Sequence, residues 1–193
     1  MKDLDAGKDW KKKIAELEEI KNPFERLIKF MSHLTQALSL QNIRPVITGG
    51  HAVEFYTSGG YVTGDIDLVC GSREAVGNLL EQAGFKKRGR YWHHEDLDLF
   101  VEVPGEALTE GEEKHLTCVE FEGQSIYFIG VEDILQDRLN ACVHWKSDED
   151  CRWSKELMLI HKDSIDWEYL KERSMEEKTM EAFKRFKKEL HLS

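Results

Sequence analysis

Two short stretches of this chain carry residue types whose spacing could do chemistry: Ile47-Thr48-Gly49-Gly50-His51-Ala52-Val53 and Gly64-Asp65-Ile66-Asp67-Leu68-Val69. The first reads as the end of a strand, a Gly-Gly turn and the start of a helix. Backbone N–H groups at a helix N-terminus, helped by the helix dipole, hold phosphate. The second reads as a short apolar strand with two carboxylates one residue apart. Side chains alternate across a strand, so Asp65 and Asp67 share a face while Ile66 and Leu68 take the other. Like charges on one strand face repel. The usual reason to tolerate them is a bound cation, and hard oxygen ligands favour Mg²⁺ or Mn²⁺. Each motif alone has a plain structural counterpart, as a turn or as a cap or surface loop. Their order, with a strand–turn–helix leading to the acidic strand, is what points to phosphoryl chemistry.

Gly-Gly, a helix, then Asp-hydrophobic-Asp-hydrophobic on a strand resembles the nucleotidyltransferase superfamily, the fold of DNA polymerase β. It is most similar to the small prokaryotic branch that includes abortive-infection and toxin-type members. The specific resemblance runs from about Arg44 to Glu102, with a looser likeness through Lys146. Two details differ: the family often has Ser where Gly50 stands, and the segment from Gly50 to Asp65 is on the long side. The resemblance implies an α/β (α+β) fold, a mixed sheet flanked by helices with a helical C-terminal region. It also implies a nucleoside triphosphate as partner and transfer of its nucleotidyl group to an acceptor. Thr48, Gly49 and Gly50 would hold the triphosphate, and Asp65 and Asp67 would bind divalent ions, with a third acid on a neighbouring strand.

The third acid lies in Asp96-Leu97-Asp98-Leu99-Phe100-Val101-Glu102-Val103-Pro104, which reads as a strand. Alternation puts Asp98 and Glu102 on one face, and the local pattern does not decide between them. Likeness to the family's hydrophobic-Glu-hydrophobic-Pro ending favours Glu102, which would complete the metal site and help deprotonate a hydroxyl nucleophile. Three further residues are candidates around the nucleotide. His51 stands in the first turn of the glycine helix, where a plain surface histidine is the simpler reading. Thr63 could orient the metal strand or a phosphate through its hydroxyl. Arg138 falls on the apolar face of a helix over Val131 to Lys146. A cation there needs a partner, either a core acid or the nucleotide phosphates.

These residues need elements to position them. Asn22-Pro23-Phe24-Glu25 is a helix start, and Phe24, Leu27, Ile28, Met31, Leu34 and Leu38 form its core stripe. A charged helix over Lys8 to Ile20 precedes it. The first strand spans Ile43 to Thr48, with Pro45 suggesting an edge or entry position. Ser72 caps a helix ended by Gly84, and the basic and aromatic residues of Phe85 to His94 could mark a nucleic-acid or base-stacking surface, with a solvated hairpin the more economical reading. Gly105 to Lys114 is an acidic loop, and Leu116 to Phe121 pairs with Gln124 to Ile129 around Glu122-Gly123. Helices follow, the last starting with a capping box of Ser174 and Glu177. One domain is the simplest division: helices over 1–40, a catalytic α/β core over 41–130 and a helical region over 131–193.

A net charge of −10 argues against broad electrostatic binding to nucleic acid without excluding a local basic patch such as Lys86 to Arg90. No stretch is apolar enough to span a bilayer and no signal-peptide core follows Met1, so no membrane partner is expected. The 4 scattered cysteines read as reduced thiols in a cytoplasmic protein. Cys142, His144, Cys151 and His161 match no ordinary zinc spacing. The rival readings are a non-catalytic nucleotide-binding or toxin–antitoxin-like protein of the same fold, a metal-dependent phosphohydrolase, and a helical interaction module. Acceptor, base preference and oligomeric state are not written in the pattern.

Overall fold

A computed structural model of the chain describes residues 10–192. Lys8 and Asp9, at the start of the first expected helix, lie outside the described residues. Helix α1 (residues 10–15) runs into a 3-10 turn over Glu16–Glu19. Trp10, Ile14 and Leu17 are buried, and the Trp10 indole N–H donates to the Leu79 carbonyl at 2.7 Å. Helix α2 (Pro23–Ser39) starts as its sequence dictates: Pro23 is at the first turn and the Asn22 side chain accepts from the Glu25 N–H. Its stripe of Leu27, Met31, Leu34 and Leu38 is fully buried.

The centre is a 7-stranded mixed sheet in the order β3-β4-β5-β2-β1-β7-β6. The strands are β1 (Val46–Thr48), β2 (Asp65–Val69), β3 (Lys86–Arg88), β4 (Tyr91–His94), β5 (Leu99–Gly105), β6 (Thr117–Phe121) and β7 (Gln124–Phe128). β1 is antiparallel to β2 and parallel to β7, and β2 is parallel to β5. The β3–β4 and β6–β7 pairs are antiparallel hairpins. β1 is shorter than expected and lies inside the sheet, so of the two placements Pro45 allowed, edge or entry, it takes the entry position. Pro45 immediately precedes it, so its missing N–H costs the ladder nothing. Ile66 and Leu68 of β2 are buried while the two aspartates take the other face.

Helices α3 (Gly49–Tyr56), α4 (Arg73–Gln82) and α5 (Glu110–Lys114) sit between strands. α4 is capped by Ser72, whose hydroxyl accepts from the Ala75 N–H, and the chain turns after it at Gly84, where φ is +99°. The expected acidic loop is partly helical: Thr109 and Glu112 make the reciprocal capping box that opens α5. α6 (Val131–His144), α7 (Asp148–Ile160), α8 (Trp167–Glu176) and α9 (Met180–Glu189) form the C-terminal layer. His161 ties this layer to the core, with Nε2 donating to the Tyr56 carbonyl at 2.7 Å.

Several expectations are corrected here. Ser174 does not cap the last helix; it lies buried in α8 and donates to Gln136 Oε1 at 2.9 Å. Asp166 caps α8 instead, and α9 begins only after Thr179. The tertiary demand of Gln136 overrides the local capping pattern. Cys142 and Cys151 are not free thiols but a disulfide between α6 and α7, leaving Cys70 and Cys118 free. The reason is packing: a short turn folds the two helices back on each other and brings the cysteines together. His144 is engaged with the Glu177 carbonyl, so no zinc set forms from these residues. Among the described residues, no helix is long and apolar enough to cross a membrane.

Gly77 shows how tightly α4 seats on the hairpin. A Cβ there would stand 2.7 Å from Trp92 Cζ2, on a ring that is 2% exposed. Alanine would gain about 1 kcal/mol of helix propensity, but overpacking costs about 1–3 kcal/mol. Gly77→Ala is therefore expected to destabilise the protein, seen as a lower urea midpoint with an unchanged m-value. An equal or higher midpoint would show that Trp92 yields without cost.

Candidate active site

Strand register assembles the site. Thr48, Asp67, Glu102 and Tyr91 lie side by side across β1, β2, β5 and β4. In the next row, Asp65 stands beside Phe100, and Phe100 beside His93. Asp65, Asp67 and Glu102 each offer a carboxylate oxygen within 4.8 Å of the others, and among the described residues no other group of His, Cys, Asp or Glu does so. Glu102 is 8% exposed and the two aspartates are half-buried.

Proximity leaves an electrostatic mark. The Asp67 carboxyl is pushed up to about 6, first by burial and then by the charges of Asp65 and Glu102, with Arg90 opposing. Arg90 belongs to the β3–β4 turn, and its Nε lies 3.3 Å from Glu102 Oε2.

The glycine turn closes the other side. Gly49 has φ +59°, and a Cβ on it would stand 2.1 Å from Asp67 Oδ2. A Cβ on Gly50 would stand 2.5 Å from Thr63 Oγ1. Only glycine lets the backbone reach the acids this closely. Thr48 is the N-cap of α3 but makes no side-chain cap, so the first-turn amides are left without one. Its hydroxyl donates instead to the Asp67 carbonyl at 3.3 Å, joining β1 to β2. The arrangement sets a helix N-terminus directly against three hard oxygen donors.

The other sequence candidates separate. Thr63 belongs to the site, its hydroxyl donating to Asp65 Oδ1 at 3.3 Å. His51 is not the surface histidine expected: it is 8% exposed, and its Nδ1 lies 2.8 Å from Glu54 Oε2. Burial pushes its pKa down against the pull of Glu54 and Asp65. Asp98 is not on the strand with Glu102. It lies in the turn before β5 with φ +49°, its side chain 86% exposed and outside the carboxylate group. β5 begins only at Leu99, so the alternation that paired the two acids does not extend to Asp98. Arg138 has both partners on its own layer, Asp150 at 2.9 Å and Asp137 at 2.5 Å.

Sequence reading missed three side chains beside the acids. Arg90 and Tyr91 stood in a hairpin read as solvated, and Phe100 in a strand searched only for carboxylates. His93 stacks on Phe100 with ring centroids 3.9 Å apart. The signal for all three was the register of β4 on β5, which no local pattern contains. Tyr91, Phe100, Asp65 and Thr63 line a cleft of about 490 Å³ that opens beside the acids.

No protein-family model matches the chain. No curated protein matches it either. Among solved structures, it is similar to an antigenic nucleotidyltransferase-like protein from Paracoccidioides brasiliensis, at 16% identity over 81% of this chain and 90% of that one, with a TM-score of 0.49. It is also similar to the antibiotic-resistance factor ANT(2'')-Ia in its solution structure, at 18% identity over 82% of this chain and 91% of that one, with a TM-score of 0.47. The crystal structure of ANT(2'')-Ia with adenylyl-2''-tobramycin matches at 17% identity over 81% and 94%, with a TM-score of 0.43.

The raised Asp67 carboxyl has a stability consequence with a definite sign. Between about pH 4, the ordinary carboxylate value, and about 6, the folded chain holds more protons than the unfolded one. Stability from this group therefore falls as pH rises through that window. In EDTA at pH 7, Asp67→Asn is expected to raise stability by about 1 kcal/mol, discounted for solvent screening. It should also flatten the pH dependence of the thermal midpoint in that window. A lower midpoint at pH 7 would show that ionised Asp67 is held by favourable contacts, not against repulsion.

Proposed function

We propose that this chain is a metal-dependent nucleotidyltransferase that takes its nucleotidyl group from a nucleoside triphosphate. The observation that carries the reading is the meeting of Asp65, Asp67 and Glu102 with the glycine start of α3, close enough that a Cβ at residue 49 would collide with Asp67. The donor set fits Mg²⁺ or Mn²⁺, being entirely of hard carboxylate oxygens whose mutual repulsion already favours a cation between them. Asp65, Asp67 and Glu102 would hold it. When bound, such a metal supplies charge stabilisation to the attacking and leaving oxygens of an in-line displacement.

The chain's own residues do the rest. Gly49 and Gly50, with Thr48 at the helix cap, hold the β- and γ-phosphates on backbone amides. Thr63 fixes the orientation of Asp65. The cleft beside Asp65 admits the acceptor, with Phe100 and Tyr91 as its aromatic wall. An acceptor hydroxyl or phosphate attacks the α-phosphorus, the bond to the β-phosphate oxygen breaks, and pyrophosphate leaves. For a hydroxyl, a carboxylate oxygen of Glu102 accepts the proton. Arg138 braces α6 against α7 through Asp150. Glu102 beside both aspartates supports turnover over the binding-only alternative, which expects an incomplete third-acid position. The toxin-type branch remains part of this reading.

Calorimetric titration with each of the four ribonucleoside triphosphates, in Mg²⁺ and in EDTA, tests it. We expect Mg²⁺-dependent binding of at least one triphosphate by the wild type and none by the Asp65→Asn/Asp67→Asn double variant. Well-folded wild-type protein that binds no triphosphate would overturn the reading. Gly49→Ala should lose binding as completely as the double variant, because its methyl group enters the Asp67 carboxylate. Near-normal affinity in that variant would remove the glycine turn from the phosphate site.

A further inference from the structure

Arg90 is not among the residues that bind metal or phosphate in the reading above, yet it sits at the mouth of the site. It follows Gly89, whose φ of +64° makes the tight β3–β4 turn, and it precedes Tyr91, the register partner of Glu102. The turn's backbone is pinned, since Arg73 Nη2 donates to the Arg90 carbonyl at 3.2 Å while its guanidinium lies 5.5 Å from the Trp92 ring. The Arg90 side chain is not pinned in the same way. It reaches across the Tyr91 ring at 4.7 Å, donates to the Tyr91 hydroxyl and ends 3.3 Å from Glu102 Oε2. Its side chain is 65% exposed, whereas that of Glu102 is 11% exposed. An ion pair with one partner so open to water is weak and easily exchanged.

Two features make exchange the natural behaviour of this residue. A guanidinium and a divalent cation seek the same carboxylate of Glu102, and their like charges repel, so the metal and this position of Arg90 compete. A guanidinium also pairs with phosphate in a forked geometry, so a polyphosphate reaching from the glycine turn over the acids would be its better partner. The basic turn is thus anchored in its backbone, while its side chain is held only by surface contacts to Tyr91 and Glu102, on the side of Glu102 facing away from Asp67.

We propose that Arg90 is a charge-exchanging positioning residue: it neutralises Glu102 before loading, and passes its guanidinium to the polyphosphate when the metal takes Glu102. This rests on the nucleotidyltransferase reading and adds to it a side chain that couples metal entry to phosphate capture. Arg90 opposes the bare metal and favours the metal–polyphosphate complex, so its removal moves the two affinities in opposite directions. A purely structural arginine cannot do that, because loosening the hairpin would weaken both.

The test is a pair of titrations on full-length wild type, Arg90→Gln and Arg90→Lys. Mn²⁺ alone is followed by electron paramagnetic resonance, and inorganic tripolyphosphate with Mg²⁺ by calorimetry, which needs no knowledge of the base. Arg90→Gln is expected to bind Mn²⁺ roughly threefold to tenfold more tightly and Mg²⁺-tripolyphosphate more weakly by a similar factor, as expected for one screened charge. Arg90→Lys should stay near wild type for Mn²⁺ and recover part of the tripolyphosphate affinity. All three should give the same far-ultraviolet circular dichroism, since residue 90 is exposed and outside the strands. Unchanged or weaker Mn²⁺ binding by Arg90→Gln, or undiminished tripolyphosphate binding, overturns the role of Arg90 alone. Folded wild type that binds no Mn²⁺ overturns the metal site and this inference with it.

Discussion

Three carboxylates brought within 4.8 Å of one another oppose the folding of the site they form. Like charges at that spacing, half removed from water, favour either a proton or a cation among them, and the upward shift of Asp67 expresses that tension. The sheet holds them regardless, because their backbones are committed elsewhere. Asp65 and Asp67 belong to β2, flanked by β1 and β5, and the opposite faces of their strand neighbours, Ile66 and Leu68, are buried in the core. The acids cannot move apart without breaking that ladder or exposing those side chains. The glycine turn depends on the same constraint, since it approaches Asp67 from β1 at a distance no Cβ would allow.

Cations nearby are distributed by what else competes for them. Arg138, on the inward face of α6, needed either an acid or the nucleotide phosphates as partner, and α7 folds back and delivers Asp150 to it, with Asp137 alongside. The Cys142–Cys151 disulfide joins the same two helices, and the Ser147 hydroxyl accepts from the Asp150 N–H at the start of α7. That hairpin is therefore fastened by an ion pair, a covalent bond and a cap within a few residues. Arg90, by contrast, comes from an exposed turn and meets a buried carboxylate, which leaves its charge close to the site and its side chain open to water.

Much of the candidate site was legible because its parts are local. Gly49-Gly50 and Asp65-Ile66-Asp67-Leu68 announce themselves by residue type, and the structure places their elements as turn–helix and strand. Caps that use neighbouring amides, such as Asn22 and Ser72, were equally plain. The misses have a common cause. Ser174 and Glu177 form a valid capping pattern, but Gln136 from another helix takes the hydroxyl. Asp98 fits the alternation of its strand, but the strand starts one residue later, at Leu99. His51 looks like a surface residue at a helix start, and the packing around α3 buries it.

What the sequence by itself determined was the chemistry on offer: two acids on one strand face, a glycine turn able to approach them, and an α/β order of elements ending in helices. These follow from the side-chain periods of strand and helix and from the missing Cβ of glycine, which act within a few residues of one another. Only the tertiary structure decided that Glu102 joins the aspartates while Asp98 does not, that Arg138 pairs with Asp137 and Asp150, and that Arg90, Tyr91 and Phe100 stand beside the acids. Those outcomes depend on the register of β5 against β2 and β4 and on the fold-back of α7. Register and helix docking are set by the burial of whole faces at once, and no short stretch of the chain contains that information.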